Sequence, residues 1–195
     1  MAKLYFKYGA MGCSKTAQAL ITKFNYEERN MKVMLIKPAI DKRDGETAVK
    51  SRIGLTADAI AVSENQDIFK LYSESYRDCQ VIIVDECQFL TEAQVDQLDA
   101  IVMDYNIPVL CFGLATDFLT HLFPGSKRLF EIAQSITEIK SVCKCGAKAS
   151  VNARLDDNGN VVFSGEQVCL GGNERYVAMC RKCWMKHKKE QLKKV

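Results

Sequence analysis

Eight residues follow directly on the apolar, aromatic run Leu4, Tyr5 and Phe6: Gly9, Ala10, Met11, Gly12, Cys13, Ser14, Lys15 and Thr16. Their spacing is that of a phosphate-binding loop, G-x-x-x-x-G-K-[ST], with Ser14 where the second glycine is usual. Such a loop aims backbone N–H groups and a helix N-terminus at phosphates. The lysine adds a point charge and the next hydroxyl holds Mg²⁺, roles for which Lys15 and Thr16 are correctly spaced. Glycine before the lysine lets the backbone approach phosphate closely. Ser14 therefore raises a question of loop geometry. Cys13 adds a thiol at the start of the following helix, a candidate reactive group.

A phosphate loop works with an acidic partner. Val81, Ile82, Ile83 and Val84 form an apolar run that ends in Asp85 and Glu86. Successive strand residues point opposite ways, which predicts Asp85 toward the metal and Glu86 toward a reacting group. Phosphoryl transfer needs an acceptor and often a base within hydrogen-bond reach, and Glu86 is the candidate base. Arg43, within Asp41, Lys42 and Arg43, can add positive charge, with Arg52 as a second candidate.

A different chemistry sits near the C-terminus. Cys143 and Cys145 form a C-x-C pair, and Cys180 and Cys183 a C-x₂-C pair. Two close pairs can supply four thiolates to one tetrahedral Zn²⁺, a structural site with no position for water. His187 is an alternative ligand to Cys183, and a zinc ribbon also admits nucleic-acid binding as a rival reading. The chain holds nine cysteines, an odd number, behind no apolar leader. Disulfides are therefore not expected, and Cys79 and Cys111 read as small buried apolar residues.

These groups need elements to hold them. Residues 3–8 read as a strand, and Lys15 to Arg29 as a helix with Ala17, Leu20, Ile21 and Phe24 on one stripe. Val33 to Ile36 is a strand closed by Pro38, residues 66–76 a helix, and Val81 to Val84 a strand. Thr91 to Gln94 has the capping-box pattern that starts a helix to about Tyr105, and residues 108–113 form another strand. Apolar strands alternating with amphipathic helices imply an α/β fold, a parallel sheet covered on both faces. Ligands of such sheets bind beyond the carboxyl ends of strands, where each candidate group falls. From about residue 141 the character changes: Val151–Leu155 and Val161–Phe163 flank an Asn158-Gly159 hairpin turn. The expected division is a nucleotide-binding domain over 1–140 and a zinc-binding domain with a basic tail over 141–195.

Composition narrows the function classes. The 195 residues are 48% hydrophobic and 26% charged, as in a globular protein. Net charge is only +3, and Lys186, Lys188, Lys189, Lys193 and Lys194 against Glu190 account for it. A strongly basic nucleic-acid surface would look different, and nucleic acid is not the expected partner. No run approaches the roughly 18 apolar residues of a membrane span, and the expected location is the cytoplasm.

Taken together the motifs resemble the thymidine kinases of the zinc-containing, cytosolic kind over nearly the whole chain. The resemblance is carried by Gly9 to Thr16, Tyr8, Asp41 to Arg43, Ser51 to Leu55, Asp85 to Leu90, Gly113 and Leu114 with Thr116 to Phe118, Gly171 to Tyr176, and both cysteine pairs. It implies a RecA-like P-loop NTPase sheet plus a small zinc-ribbon-like β lobe with a lasso loop. It implies transfer of the γ-phosphoryl of ATP to the thymidine 5′-hydroxyl, with Glu86 as base. Lys15, Thr16, Asp85 and Gln88 would hold ATP–Mg²⁺, with Asp41, Lys42 and Arg43 nearby. Phe118 would stack on thymine, and Met11 and Leu114 would line the space for its 5-methyl group. Val168, Cys169, Leu170 and Gly171 would grip the base through their backbone, and Tyr176 would close over the nucleoside. A homotetramer inhibited by dTTP is implied, with a flexible loop at about 44–56. Two rival readings stand beside it: a nucleic-acid-stimulated ATPase, and a zinc-ribbon binding module with a vestigial ATP site.

Overall fold

The computed structural model describes residues 1–42, 45, 47–167 and 175–192. Its frame is a six-stranded sheet in the order β5-β2-β6-β7-β1-β8, built from β1 (Leu4–Tyr8), β2 (Val33–Pro38), β5 (Ile60–Val62), β6 (Val81–Val84), β7 (Val109–Gly113) and β8 (Ser135–Glu138). Every neighbouring pair is parallel. β3 (Ala48–Lys50) and β4 (Thr56–Asp58) form a separate antiparallel hairpin.

The alternation of the strands sorts the core into two faces. Leu4, Phe6, Met34, Ile36, Ile82, Val84, Val109 and Cys111 meet α2 (Ile68–Leu71), α3 (Glu92–Tyr105) and α4 (Pro124–Ile132) on one face. Leu35, Val81, Ile83, Leu110 and Phe112 meet Ala19 and Leu20 of α1 (Lys15–Glu27) on the other. The expected parallel sheet covered on both faces is present. α3 starts on the expected capping box, with Thr91 Oγ accepting from Gln94 N–H at 3.1 Å.

Local differences have physical reasons. The helix expected over 66–76 is one α turn followed by a π-helical stretch, Tyr72–Tyr76, where the Tyr72 hydroxyl donates to Cys79 O. In α1 the buried set is Ala17, Ala19 and Leu20, while Ile21 and Phe24 are 46% and 59% exposed. Ala17 and Leu20 of the expected stripe are buried together with Ala19, its other two members are not, and the small alanines let the helix approach the sheet closely. Residues 47–56, within the loop expected to be flexible, carry the β3–β4 hairpin. Lys37, buried at the end of β2, donates to Gly45 O at 2.6 Å and Ala48 O at 2.9 Å and ties it down.

The C-terminal part is made of small pieces: a pair of β9 (Ser141–Val142) and β10 (Lys148–Ala149), and a sheet of β11 (Val151–Leu155), β12 (Val161–Val162) and β13 (Tyr176–Met179). The Asn158-Gly159 hairpin turn is present, Gly159 having φ +78°. α5 (Arg181–Leu192) carries Trp184 into a core with Val151, Ala153, Val161 and Met179. Among the described residues no helix is long and apolar enough to cross a membrane.

Candidate active site and metal centre

Gly9 to Thr16 leaves the carboxyl end of β1 and enters α1. Gly9 is bare of necessity: a Cβ there would lie 2.3 Å from Ile139 O and 2.6 Å from Cys13 Sγ. Ser14 stands immediately before α1 with φ 63° and ψ 29°, a left-handed conformation. This is why glycine is usual there. The serine adopts the glycine conformation, and its side chain makes no cap hydrogen bond. Lys15 is buried and folds over the loop, donating to Gly9 O at 2.9 Å and Ala10 O at 3.0 Å, with Cys13 Sγ at 3.6 Å. Cys13 is itself buried. Thr16 is half-buried in the first turn. Arg52, on the β3–β4 hairpin, reaches the loop: an ideal Cβ on Gly12 would be 3.7 Å from its Nη1.

β6 ends at Val84, and Asp85, 4% exposed, lies just beyond it. Its N–H donates to Ile36 O at 3.0 Å, which ties it to β2. Glu86 has φ 51° and ψ 37°. Its direction is therefore set by a left-handed residue that opens the 3₁₀ turn Cys87–Phe89, and not by continued strand alternation. Gln88, in that turn, is 1% exposed. Its Nε2 donates to Glu86 Oε2 at 2.5 Å, and its Oε1 accepts from Leu114 N–H at 2.9 Å. Leu114 O accepts from Ser126 Oγ at 2.5 Å, so its peptide is held from both sides. Burial and the neighbouring Cys111 push the Cys87 thiol well above its ordinary range. Cys87 is thereby a neutral packing residue, and Cys79 and Cys111 are buried among apolar side chains as expected.

The third group leaves β7. Asp117 is buried and caps its own turn, its Oδ1 accepting from Leu119 and His121 N–H and its Oδ2 from Gln167 Nε2 at 3.0 Å. Phe118 is 1% exposed. One ring face is covered by the Arg154 guanidinium, whose carbon lies 3.8 Å from the centroid. Arg154 also donates to Tyr176 Oη at 3.0 Å and to Glu166 O at 2.9 Å. Asn152 joins the parts, accepting from Met11 N–H at 2.7 Å and donating to Thr116 O at 3.1 Å. Asp41 and Lys42 follow β2. Arg43, Val168, Cys169, Leu170 and Gly171 lie outside the described residues.

The thiols of Cys143, Cys145, Cys180 and Cys183 all lie within 4.8 Å of one another. Cys143 and Cys145 sit in the β9–β10 turn, Cys180 and Cys183 where β13 passes into α5. Zn–S bonds of about 2.3 Å put tetrahedral sulfurs about 3.8 Å apart, and Cys145 Sγ is 3.6 Å from Cys180 Sγ. The donor set thus fits a tetrahedral thiolate-bound ion. Backbone N–H groups of Cys145 and Cys180 pull the Cys143 thiol down to about 6, while hydrogen bonding to Cys180 and Cys145 pushes Cys183 up to about 12.

Sequence reading did not find Arg154, Asn152, Lys37 or Gln167. Each is a single polar residue in ordinary surroundings, and only long-range contact reveals its partner. A buried lysine or asparagine leaves no local pattern.

Residues 2–184 match the family described as thymidine kinase. The chain is 48% identical over 186 residues to the thymidine kinase of Enterobacteria phage T4, covering 94% of this chain and 96% of that protein. It is 44% identical to the thymidine kinase of Yersinia pseudotuberculosis over 99% of this chain and 97% of that one. With that of Zymomonas mobilis it shares 47% over 93% and 95%. Among solved structures a Pif1 helicase from Candida albicans aligns at 14% identity with a TM-score of 0.43, over 72% of this chain and 36% of that chain.

Proposed function

The chain belongs to the thymidine kinase family, and from this premise we propose how its residues carry out the reaction. It is a phosphotransferase that uses ATP to phosphorylate thymidine, giving dTMP and ADP. A match of this length to thymidine kinases does not favour the nucleic-acid-stimulated ATPase.

One observation carries the assignment of roles. The loop after β1, Asp85 and Glu86 after β6, and Leu114 to Phe118 after β7 converge on the carboxyl edge of one parallel sheet. Glu86 accepts the proton of the thymidine 5′-hydroxyl. The oxygen forms its bond to the γ-phosphorus as the β–γ bridging P–O bond breaks, and that electron pair leaves on ADP. Lys15 swings from the Gly9 and Ala10 carbonyls onto the phosphates. Thr16 and Asp85 offer the hard oxygen donors that Mg²⁺ takes, and the ion supplies charge neutralisation on the phosphates. The resemblance adds Gln88 to that set. Asp41, Lys42 and Arg43 flank the phosphates, and Arg52 is positioned over the loop to join them.

For the nucleoside, thymine takes the place of the Arg154 guanidinium on Phe118, one flat group exchanging for another. Met11 and Leu114 line the space for the methyl group. Val168, Cys169, Leu170 and Gly171 hold the base edge, and Tyr176 closes over it. The four thiols hold a structural Zn²⁺. We further place the enzyme in the cytoplasm as a homotetramer inhibited by dTTP, as the family resemblance implies. The exposed Ile21 and Phe24 of α1 offer an apolar contact for a second copy.

The test is Glu86→Gln, assayed over a panel of nucleosides. Turnover with thymidine should fall by about 10²- to 10⁴-fold, with the melting temperature and ATP binding retained. Wild-type turnover would remove Glu86 as the base. ADP formation that ignores thymidine and rises with single-stranded DNA would restore the ATPase reading.

A further inference from the structure

We propose that Gln88 is the positioning residue of the transfer, acting through Glu86. Its amide fixes the carboxylate of the base and ties it to the Leu114 peptide. This rests on the reading of Glu86 as base, and it gives Gln88 a role beyond the ATP–Mg²⁺ contact that the resemblance implies.

The orientation of the amide follows from chemistry. A backbone N–H can only donate, so the Leu114 N–H, at 2.9 Å, must meet the amide oxygen. The NH₂ end is thereby turned to Glu86 Oε2, at 2.5 Å. A carboxylate can only accept, so both ends are satisfied in one arrangement and in no other. The bond to Glu86 is charge-assisted and half-buried, with Gln88 itself covered, which strengthens it over one in water.

The surroundings keep that arrangement. Gly113, the last residue of β7, is open to the amide: a Cβ there would fall 2.6 Å from Gln88 Oε1 and 2.6 Å from Cys87 Sγ. Leu114 O is fixed in turn by the buried Ser126 hydroxyl at 2.5 Å. A continuous chain of bonds therefore runs from α4 through the Leu114 peptide and Gln88 to the base. Glu86 itself stands in a left-handed conformation. Such a backbone is kept by what surrounds it, and Gln88 is the contact that reaches its carboxylate from two residues downstream. Leu114 is also the proposed wall of the methyl space, so the same amide links nucleoside contact to the angle of the base.

The experiment is a double-mutant cycle on the full chain. Gln88→Met keeps the volume and loses both bonds. It should lower kcat by about 10- to 100-fold, the cost of a misaligned reacting group. The KM for thymidine should stay within about twofold. In a Glu86→Gln background the same substitution should do nothing further, because its target has gone. Should Gln88→Met fail to fold, Gln88→Glu is the second variant, since it keeps an acceptor for Leu114 N–H and removes the donor to Glu86. The same kcat loss and the same silence in the Glu86→Gln background are expected. A loss of kcat that persists undiminished in that background, or a raised KM for ATP with kcat unchanged, overturns the proposal and leaves Gln88 to the nucleotide alone. Failure of the base assignment shows separately, as wild-type turnover in Glu86→Gln alone.

Discussion

The sheet and the cysteine-bearing part hold their working residues in opposite ways. Around the sheet, side chains from five strands and three helices are buried on one face alone, and Leu4, Phe6, Ile82 and Val84 are wholly covered. Glu86, Lys15 and Asp85 stand at the ends of elements that would persist if any one contact were lost. Tyr176 and Arg154 stand instead on a three-stranded sheet whose outer strand, β12, has two residues. Its core is Trp184 and Met179 with alanines, valines and two of the cysteines. The lesson is that catalysis is carried by burial, while nucleoside closure depends on whatever the four thiols hold.

The largest expected effect separates the two. Stripping Zn²⁺ with a chelator, or Cys180→Ser, should loosen β13 and α5, because structural zinc contributes folding energy outright. Thymidine phosphorylation should fall by more than about 100-fold while ATP binding persists, since the phosphate loop hangs on the sheet. Loss of both together would mean that the phosphate loop, too, depends on the metal-held part.

A smaller effect tests the seam. Asn152 is buried, belongs to β11, and bonds to Met11 N–H and Thr116 O. Asn152→Ala leaves both groups without their partner, at about 1–3 kcal/mol for a buried unsatisfied group. The KM for thymidine should rise, with kcat and the KM for ATP changed little. An equal rise in both KM values would show that Asn152 supports the phosphate loop more than the nucleoside side.

The same contrast explains what could be read from sequence. The phosphate loop, the Asp85-Glu86 pair after an apolar run and the paired cysteines are local patterns, set by a covalent spacing that a ligand requires. β2, β6 and β7 are legible because burial on both faces makes them continuous apolar runs. β8 and β13 escaped notice, since Ser135–Glu138 and Tyr176–Met179 carry mixed residues and gain their place only by pairing with β1 and β11. Arg154 on Phe118 escaped for the same reason: 36 positions separate them, and Arg154 sits in no motif of its own. The directions of Asp85 and Glu86 were inferred from strand alternation. What turns Glu86 is a positive φ, a backbone feature that its residue type does not announce.

The smallest effect concerns Ser14, the one residue that departs from the phosphate-loop pattern. Its φ of 63° costs a residue with a Cβ on the order of 1–2 kcal/mol. Ser14→Gly removes that strain but adds freedom to the unfolded chain, worth roughly 0.5–1 kcal/mol in the other direction. The balance is a gain between about 0 and 1.5 kcal/mol, or at most about 3–6 °C in melting temperature for a chain of this size. Turnover should change little, because Ser14 already holds the left-handed conformation that a glycine would adopt there. A fall in melting temperature would be more instructive than a rise. Ser14 makes no side-chain cap hydrogen bond, so destabilisation could arise only if rigidity of the chain at position 14, before folding, outweighs strain after it. That would place the control of this loop in the unfolded state, and the contrast between a sheet held by burial and a lobe gathered around four thiols would gain a third term.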